Sequence, residues 1–315
     1  MSDRKLHLDT VAVVALLSCC AVWGLGQVAT KVTLAEVPPL MQAAVRSCGA
    51  ALLVALWARG RGIALFGRDG TLGGGLCAGL LFAIEFGLIF TGLKFTTASR
   101  MAVFVYLAPF VVALGMPLIA RNERLDALQS LGLVAAFGGV AWAFAEGFQQ
   151  PTAGDLQWLG DALGVAGAVF WGATTLVIRG TRLSAAAAEK TLLYQLAVSG
   201  VALALASWLA GETWPARLSP MPALALVFQT VVVCFASYLL WFWLMRHYPA
   251  TQLSAFTLLT PVLGLLAGVV LMGDPLTLRL VAALIAVSVG IALVHRGGSA
   301  ARVSPMRQSE RDEPA

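Results

Sequence analysis

Two ionisable side chains sit inside long apolar runs. Arg46 follows PPLMQAAV, and Glu85 is enclosed by LLFAI and FGLIF. A charge at membrane depth costs several kcal/mol unless it is paired or hydrated, so a functional role is the default expectation. Arg46 lies eight residues after Pro38, and Glu85 lies eight before Leu93. At 1.5 Å per residue both are about 12 Å from the same end of their helices. Trp23, eight residues before Lys31, and Tyr106, eight after Ala98, share that depth. Two readings are open. In one, a cation, a carboxylate and two aromatic walls line a substrate cavity. In the other, Arg46 and Glu85 form a structural ion pair and the aromatics face core or lipid. Pro109 and Pro261 are expected to break or bend their helices near such a cavity, where freed carbonyls can meet substrate or water. The alternative is a tolerated kink without contact. Glu85 is the one carboxylate placed deep in a span and is therefore the candidate for proton coupling. A static Arg46–Glu85 bridge would instead hold the charge throughout.

The elements that must position these residues are membrane spans. Of 315 residues, 59% are hydrophobic and 12% charged, and mean hydropathy is +0.84. A soluble domain has about a quarter of its residues charged. The chain therefore reads as an all-α integral membrane protein. Ten apolar stretches of about 20 residues qualify as spans: Thr10–Thr30, Pro38–Trp57, Leu72–Leu93, Ala98–Ala120, Leu125–Ala145, Trp158–Ile178, Leu192–Ala210, Pro222–Met245, Ala250–Met272 and Leu276–Val294. The first is too long for a signal-peptide core and reads as a retained helix.

Basic residues accumulate on the cytoplasmic side of bacterial-type inner-membrane proteins. With the N-terminus inside, the inner segments hold fifteen of them: Arg4, Lys5, Arg59, Arg61, Arg68, Arg121, Arg124, Arg179, Arg182, Lys190, Arg246, Arg296, Arg302, Arg307 and Arg311. The outer segments hold five: Lys31, Lys94, Arg100, Arg217 and Arg279. Both termini are expected in the cytoplasm. The net charge of +5 thus reflects topology and not a nucleic-acid surface. Lys31, Lys94 and Arg100, near span ends, are expected to snorkel or anchor. The polar stretch 297–315 is expected to be disordered.

The two halves repeat. FTTASRMAVFVYLAPF aligns with HYPATQLSAFTLLTPV, so that Pro109 meets Pro261, and Trp23–Gly24 matches Trp171–Gly172. Residues 1–146 then form one five-helix repeat, 147–157 a periplasmic linker and 158–296 the second repeat. Five is odd, so the second copy enters from the opposite side. Inverted repeats of this kind recur in secondary transporters, with substrate near the midplane. In this alignment Glu85 corresponds to Ser237 and Arg46 roughly to Gln195, so neither charge is needed merely to build the repeat.

These landmarks resemble the EamA-like permeases of the drug/metabolite transporter superfamily. The matching features are Trp23–Gly24 followed by Lys31, the stretch ending at Arg46, GLKFTTASR leading to Leu107–Pro109, and the acidic turn Glu123–Arg124–Leu125. LTP at Leu259–Pro261 and GDPL at Gly273–Leu276 repeat the last two. The second repeat departs from the family in having Asp274–Pro275 where a Glu-Arg pair is common. The resemblance covers about Val11 to Val294. It implies ten helices in two repeats and movement of a small metabolite, often export, with amino-acid-like compounds the expected cargo.

An intramembrane enzyme is a weaker reading. His7, His247 and His295 lie at or beyond span ends, and the chain has no HExxH or GxSxG pattern. The five cysteines have no metal or redox spacing, and no metal or cofactor is expected. No GxxxxGK[ST] is present, so uphill transport must draw on an ion or solute gradient. A channel or a non-transporting scaffold remains as the alternative. GxxxG spacings at Gly75–Gly79 and Gly264–Gly268 are expected to allow close helix packing within one chain, with a dimer role as the alternative.

Overall fold

The computed structural model describes residues 9–67, 69–119, 127–248, 253 and 256–300. The expected acidic turn Glu123–Arg124–Leu125 and several basic residues of the orientation count, such as Arg4, Lys5, Arg121 and Arg302, lie outside the described residues. Among the described residues every regular element is helical. The first three are α1 (Thr10–Thr33), α2 (Pro39–Gly60) and α3 (Leu72–Gly92). Next come α4 (Ala98–Phe104) and α5 (Ala108–Ile119), joined by a 3-10 turn at Val105–Leu107. They are followed by α6 (Ala127–Gln149), α7 (Gln157–Gly180) and α8 (Ala188–Leu209). Then α9 (Pro220–Val227), a π-helical run Phe228–Ser237 and α10 (Tyr238–His247) form one continuous rod. The last two are α11 (Leu259–Met272) and α12 (Leu278–Ala300).

Eight of these rods, counting α4–α5 and α9–α10 as one each, are long and apolar enough to cross a membrane. Their outward surface carries large apolar side chains such as Leu52, Leu80, Leu131, Val201 and Leu224, as lipid contact requires. The ninth and tenth expected spans appear as shorter apolar helices, Leu259–Met272 and Leu278–Leu293. At 14 residues, α11 reaches only about 21 Å. The backbone of α12 continues helical past Gly297 to Ala300, into the stretch expected to be disordered.

Helix starts are tied by carboxylates, several supplied from a distance. Asp9 caps α1 by accepting from Ala12 N at 2.9 Å. The start of α2 follows Pro38, whose side chain cannot cap; Glu212 accepts from Leu40 N and Met41 N instead, at 3.3 and 2.7 Å. Asp274 accepts from Ser99 N at 2.8 Å at the start of α4. These bonds satisfy amides that a helix leaves open at its first turn.

The halves interleave. Helix α1 packs on α11 and on the α9–π segment, whereas α7 packs on α4–α5 and α3. Helix α2 runs against α8 and the π segment, α3 against α8, and α6 against α12. Glycines set the closest crossings: a Cβ on Gly24 would sit 2.8 Å from Gly264 N, and one on Gly290 2.5 Å from Gly132 O. Gly75 and Gly79 pack against Tyr194 and Val198, and Gly264 and Gly268 against Ala102 and Ser99. Both GxxxG pairs thus serve close packing within the chain.

Candidate functional site

Arg46, on the inward face of α2, is 4% exposed. Phe86 and Phe90, one turn apart on α3, take its guanidinium by their ring faces, with Cζ 4.0 and 4.7 Å from the centroids. Its Nε and Nη2 are buried and have no hydrogen-bond partner. Glu85, next to Phe86, is 3% exposed, and its Oε2 is likewise unpartnered. The two residues lie in one electrostatic neighbourhood with Cys234 and Tyr238. They do not make the direct ion pair that the sequence allowed: no Arg46–Glu85 contact stands among the salt bridges. The physical reason is local. Phe86 follows Glu85 in the chain, and its ring lies against the guanidinium.

Gln42 is the site residue that sequence reasoning missed on this helix. It lies one turn before Arg46, is fully buried, and has neither its amide oxygen nor its nitrogen bonded. Ser47 Oγ is also unpartnered. Buried polar atoms without partners are few in folded proteins, and each needs an explanation. A polar residue at i−4 from Arg46 was the available signal.

Trp23 was expected at the site and Ser237 aligns with Glu85, and the structure joins them: Trp23 Nε1 donates to Ser237 Oγ at 2.8 Å. Ser237 in turn donates to Val233 O at 2.6 Å, within the π-helical run. The Trp23 ring also meets Tyr238 at 6.2 Å and Trp241 edge-on at 5.4 Å. Tyr238 therefore links the Trp23–Ser237 pair to Arg46 and Glu85. Tyr106 is buried and meets Trp171, the repeat counterpart of Trp23, edge-on at 5.7 Å. Tyr106 lies within electrostatic reach of Tyr238 and Cys20. Pro109 and Pro261 each fall in the first turn of a restarted helix, α5 and α11. Pro109 follows the 3-10 turn, where Ala108 N–H closes onto Val105 O. An early-turn proline loses no helical bond that would otherwise form. At Pro109 the Val105 carbonyl, which the proline cannot bond, is satisfied by Ala108 N–H.

Between this layer and the end of the molecule bearing Gly60 lies a buried apolar cluster that includes Val54, Phe82, Leu192, Leu196 and Val233. Trp23, Phe86 and Tyr238 pack on it, and so do Leu239 and Phe242. The last two also line a cavity of about 320 Å³ with Trp57, Arg61, Ile63, Glu189, Trp243 and His247. Polar layer, apolar seal and open cavity thus follow one another along α2 and α10.

A second buried charge cluster was not expected. Arg100, read as a snorkelling residue, is 2% exposed. Its Nε lies 3.1 Å from both Asp161 oxygens, and Nη2 donates to Asp161 Oδ2 at 2.7 Å and Ala143 O at 2.6 Å. Its Nη1 donates to Glu146 Oε2 at 2.8 Å. Thr96 and Thr277 hydroxyls complete the two carboxylates at 2.6 and 2.8 Å. Lys31 does anchor, through Leu93 O at 2.8 Å and Thr96 O. Lys94 is exposed. Among the described residues no group of His, Cys, Asp and Glu is placed to hold a metal ion.

A multi-pass helical membrane protein with interleaved halves and a buried polar layer fits a membrane transporter. Residues 10–145 and 158–296 both match the EamA-like transporter family, and the chain belongs to that family. It is 26% identical over 291 residues to the uncharacterized transporter YvbV of Bacillus subtilis (strain 168), covering 92% of this chain and 93% of the relative. The uncharacterized transporter YoaV of the same organism is 21% identical over 279 residues, covering 88% and 94%. One crystal structure is similar in fold at a TM-score of 0.63 and 20% identity, over 90% of this chain and 97% of the other.

Proposed function

We propose that the protein is a secondary transporter that moves a small amino-acid-like metabolite by alternating access, with export as the direction. The observation that carries this reading is the unneutralised layer. Arg46 and Glu85 are both buried, interact electrostatically, and keep buried polar atoms that no protein group satisfies. Unpaired buried charges are costly, and a zwitterionic cargo offers each of them its opposite. Trp23, Tyr106 and Ser237 form the aromatic and hydroxyl surroundings, and the restarts at Pro109 and Pro261 are the points where the helices can flex. The apolar seal around Val54, Phe82 and Leu192 acts as one gate, and the cavity at Trp57 and Trp243 acts as the vestibule behind it.

Ten spans in two inverted five-helix repeats fit the packing described above. Two inter-half packings have counterparts: α1 on α11 answers α7 on α4–α5, and α1 on α9–π answers α7 on α3. Both termini then face the cytoplasm, and the linker at 147–157 faces the periplasm of a bacterial-type inner membrane. Alkaline-phosphatase activity of a fusion at Pro151, with inactivity at Ala300, tests that topology. Glu85 serves as the proton-coupling group. The test of function is uptake of labelled amino acids and nucleosides into proteoliposomes with and without an imposed pH gradient. Saturable uptake without single-channel conductance is expected. Conductance, or no flux of any solute, would overturn the reading. Glu85→Gln should keep exchange but lose gradient-driven accumulation.

A further inference from the structure

Two buried arginines among the described residues, Arg46 and Arg100, present the same edge differently. In a guanidinium, Nε–H and Nη2–H point side by side in the plane and match the two oxygens of a carboxylate. Arg100 uses that edge on Asp161, with Nε at 3.1 Å and Nη2 at 2.7 Å from Oδ2. Arg46 has its ring-stacking surface covered by Phe86 and Phe90, and the same two atoms, Nε and Nη2, have no protein partner. One turn earlier on the same face, Gln42 offers a buried amide donor and acceptor that the protein also leaves unbonded. A primary amide adds no charge, so it suits a neutral hydrogen-bonding group or one end of a zwitterion.

We propose that the cargo is a small organic carboxylate with a second hydrogen-bonding group near that carboxylate. The carboxylate is held side-on by Nε and Nη2 of Arg46, and Gln42 reads the second group. Amino and hydroxy acids substituted at carbon 2 have this form. The inference rests on the transport reading of the same layer, and it names the chemistry that the layer selects. It also places Gln42 as a specificity-determining residue.

The test uses the purified full-length protein. Thermal stabilisation is measured with 2-amino acids and 2-hydroxy acids, each beside its primary amide, and with acetate and propionate. The same compounds are then tried as substrates in proteoliposomes. Acids should stabilise and their amides should not. Arg46→Lys keeps the charge but loses the planar fork, and should weaken acid binding roughly 10- to 100-fold. Gln42→Leu should weaken 2-substituted acids roughly tenfold while leaving acetate and propionate unchanged. That change in selectivity would not follow from a merely structural role, and it decides the matter should Arg46→Lys fail to fold. Amides binding as well as acids, no acid in the panel binding, or Gln42→Leu weakening all acids alike would overturn the proposal. If acids bind in the expected pattern but none crosses the membrane, the transport reading fails and the carboxylate site stands. If solutes cross with no preference for acid over amide, the transport reading stands and the carboxylate site fails.

Discussion

Arg46 and Arg100 are both buried, both on helices of the first half and both beside phenylalanine rings, yet their surroundings differ in kind. Arg100 is held by Asp161 and Glu146, and those carboxylates are held by Thr96 and Thr277. The cluster draws on α4, α6, α7 and the turn before α12, so it ties the two halves together at one end. Arg46 has aromatic cover and no comparable partner at Nε or Nη2. Burial alone therefore does not mark a functional charge in a membrane protein. The informative distinction is whether the protein itself completes the hydrogen bonds. A completed cluster stabilises the fold, and an uncompleted one carries a standing cost that a ligand can relieve.

The largest effect should come from breaking the completed cluster. Arg100→Met leaves Asp161 and Glu146 as buried uncompensated charges, and should destabilise the protein by about 3–5 kcal/mol. Denaturation in detergent measures it. A loss below about 1 kcal/mol would mean that the cluster is not structural and would erase the contrast with Arg46.

The next effect concerns the crossing that sets the Trp23 end of the polar layer. Gly24→Val would bring a side chain within 3 Å of the Gly264 backbone, and overpacking of this kind costs about 1–3 kcal/mol. Since α1 carries Trp23, transport should fall along with stability, unlike the Arg46 case.

Trp23→Phe removes the donor to Ser237 while keeping most of the ring contacts to Tyr238 and Trp241. The loss in stability should be about 1 kcal/mol. A larger change in apparent KM than in melting midpoint would place this bond with the functional region. The reverse would move it to the structural one.

How much of this was legible in the sequence follows from the same contrast. Helical rise alone leads to the expectation that Arg46, Glu85, Trp23 and Tyr106 share one depth, because depth depends only on counting residues from a span end. The apolar runs likewise marked the helices. Partner choice was less accessible. Arg100 and Asp161 are 61 residues apart, and both stand near span ends, where a charge ordinarily reaches water. Trp23 and Ser237 were both singled out, but their bond spans 214 residues. The π-helical run Phe228–Ser237 has no proline, and it packs against α1 and α2, contacts that lie far away in the sequence. Gln42 was passed over because an uncharged amide raises no alarm in an apolar run until its partners are counted.

The smallest effect comes from a pair in which Lys190 is buried and Asp69 is exposed, a reference for both buried arginines. Lys190 Nζ lies 2.8 Å from Asp69 Oδ2. That bond, with the Thr71 hydroxyl, holds the Asp69 carboxyl well below its usual range. A depressed carboxyl stabilises above its unfolded pKa of about 4 and loses that contribution as pH falls through its folded value. Wild type should therefore exceed Asp69→Asn slightly in melting midpoint at neutral pH, and the gap should narrow in acid. A gap that widens in acid would contradict the assignment.

The account rests on Arg46 being completed by cargo and not by the protein, and Arg46→Met tests this most directly when stability and transport are measured on the same preparation. The account predicts a melting midpoint equal to or above wild type, because an unsatisfied buried charge is removed, together with loss of saturable uptake in proteoliposomes. A midpoint lowered as far as that of Arg100→Met, or uptake that persists at the wild-type rate, would contradict it.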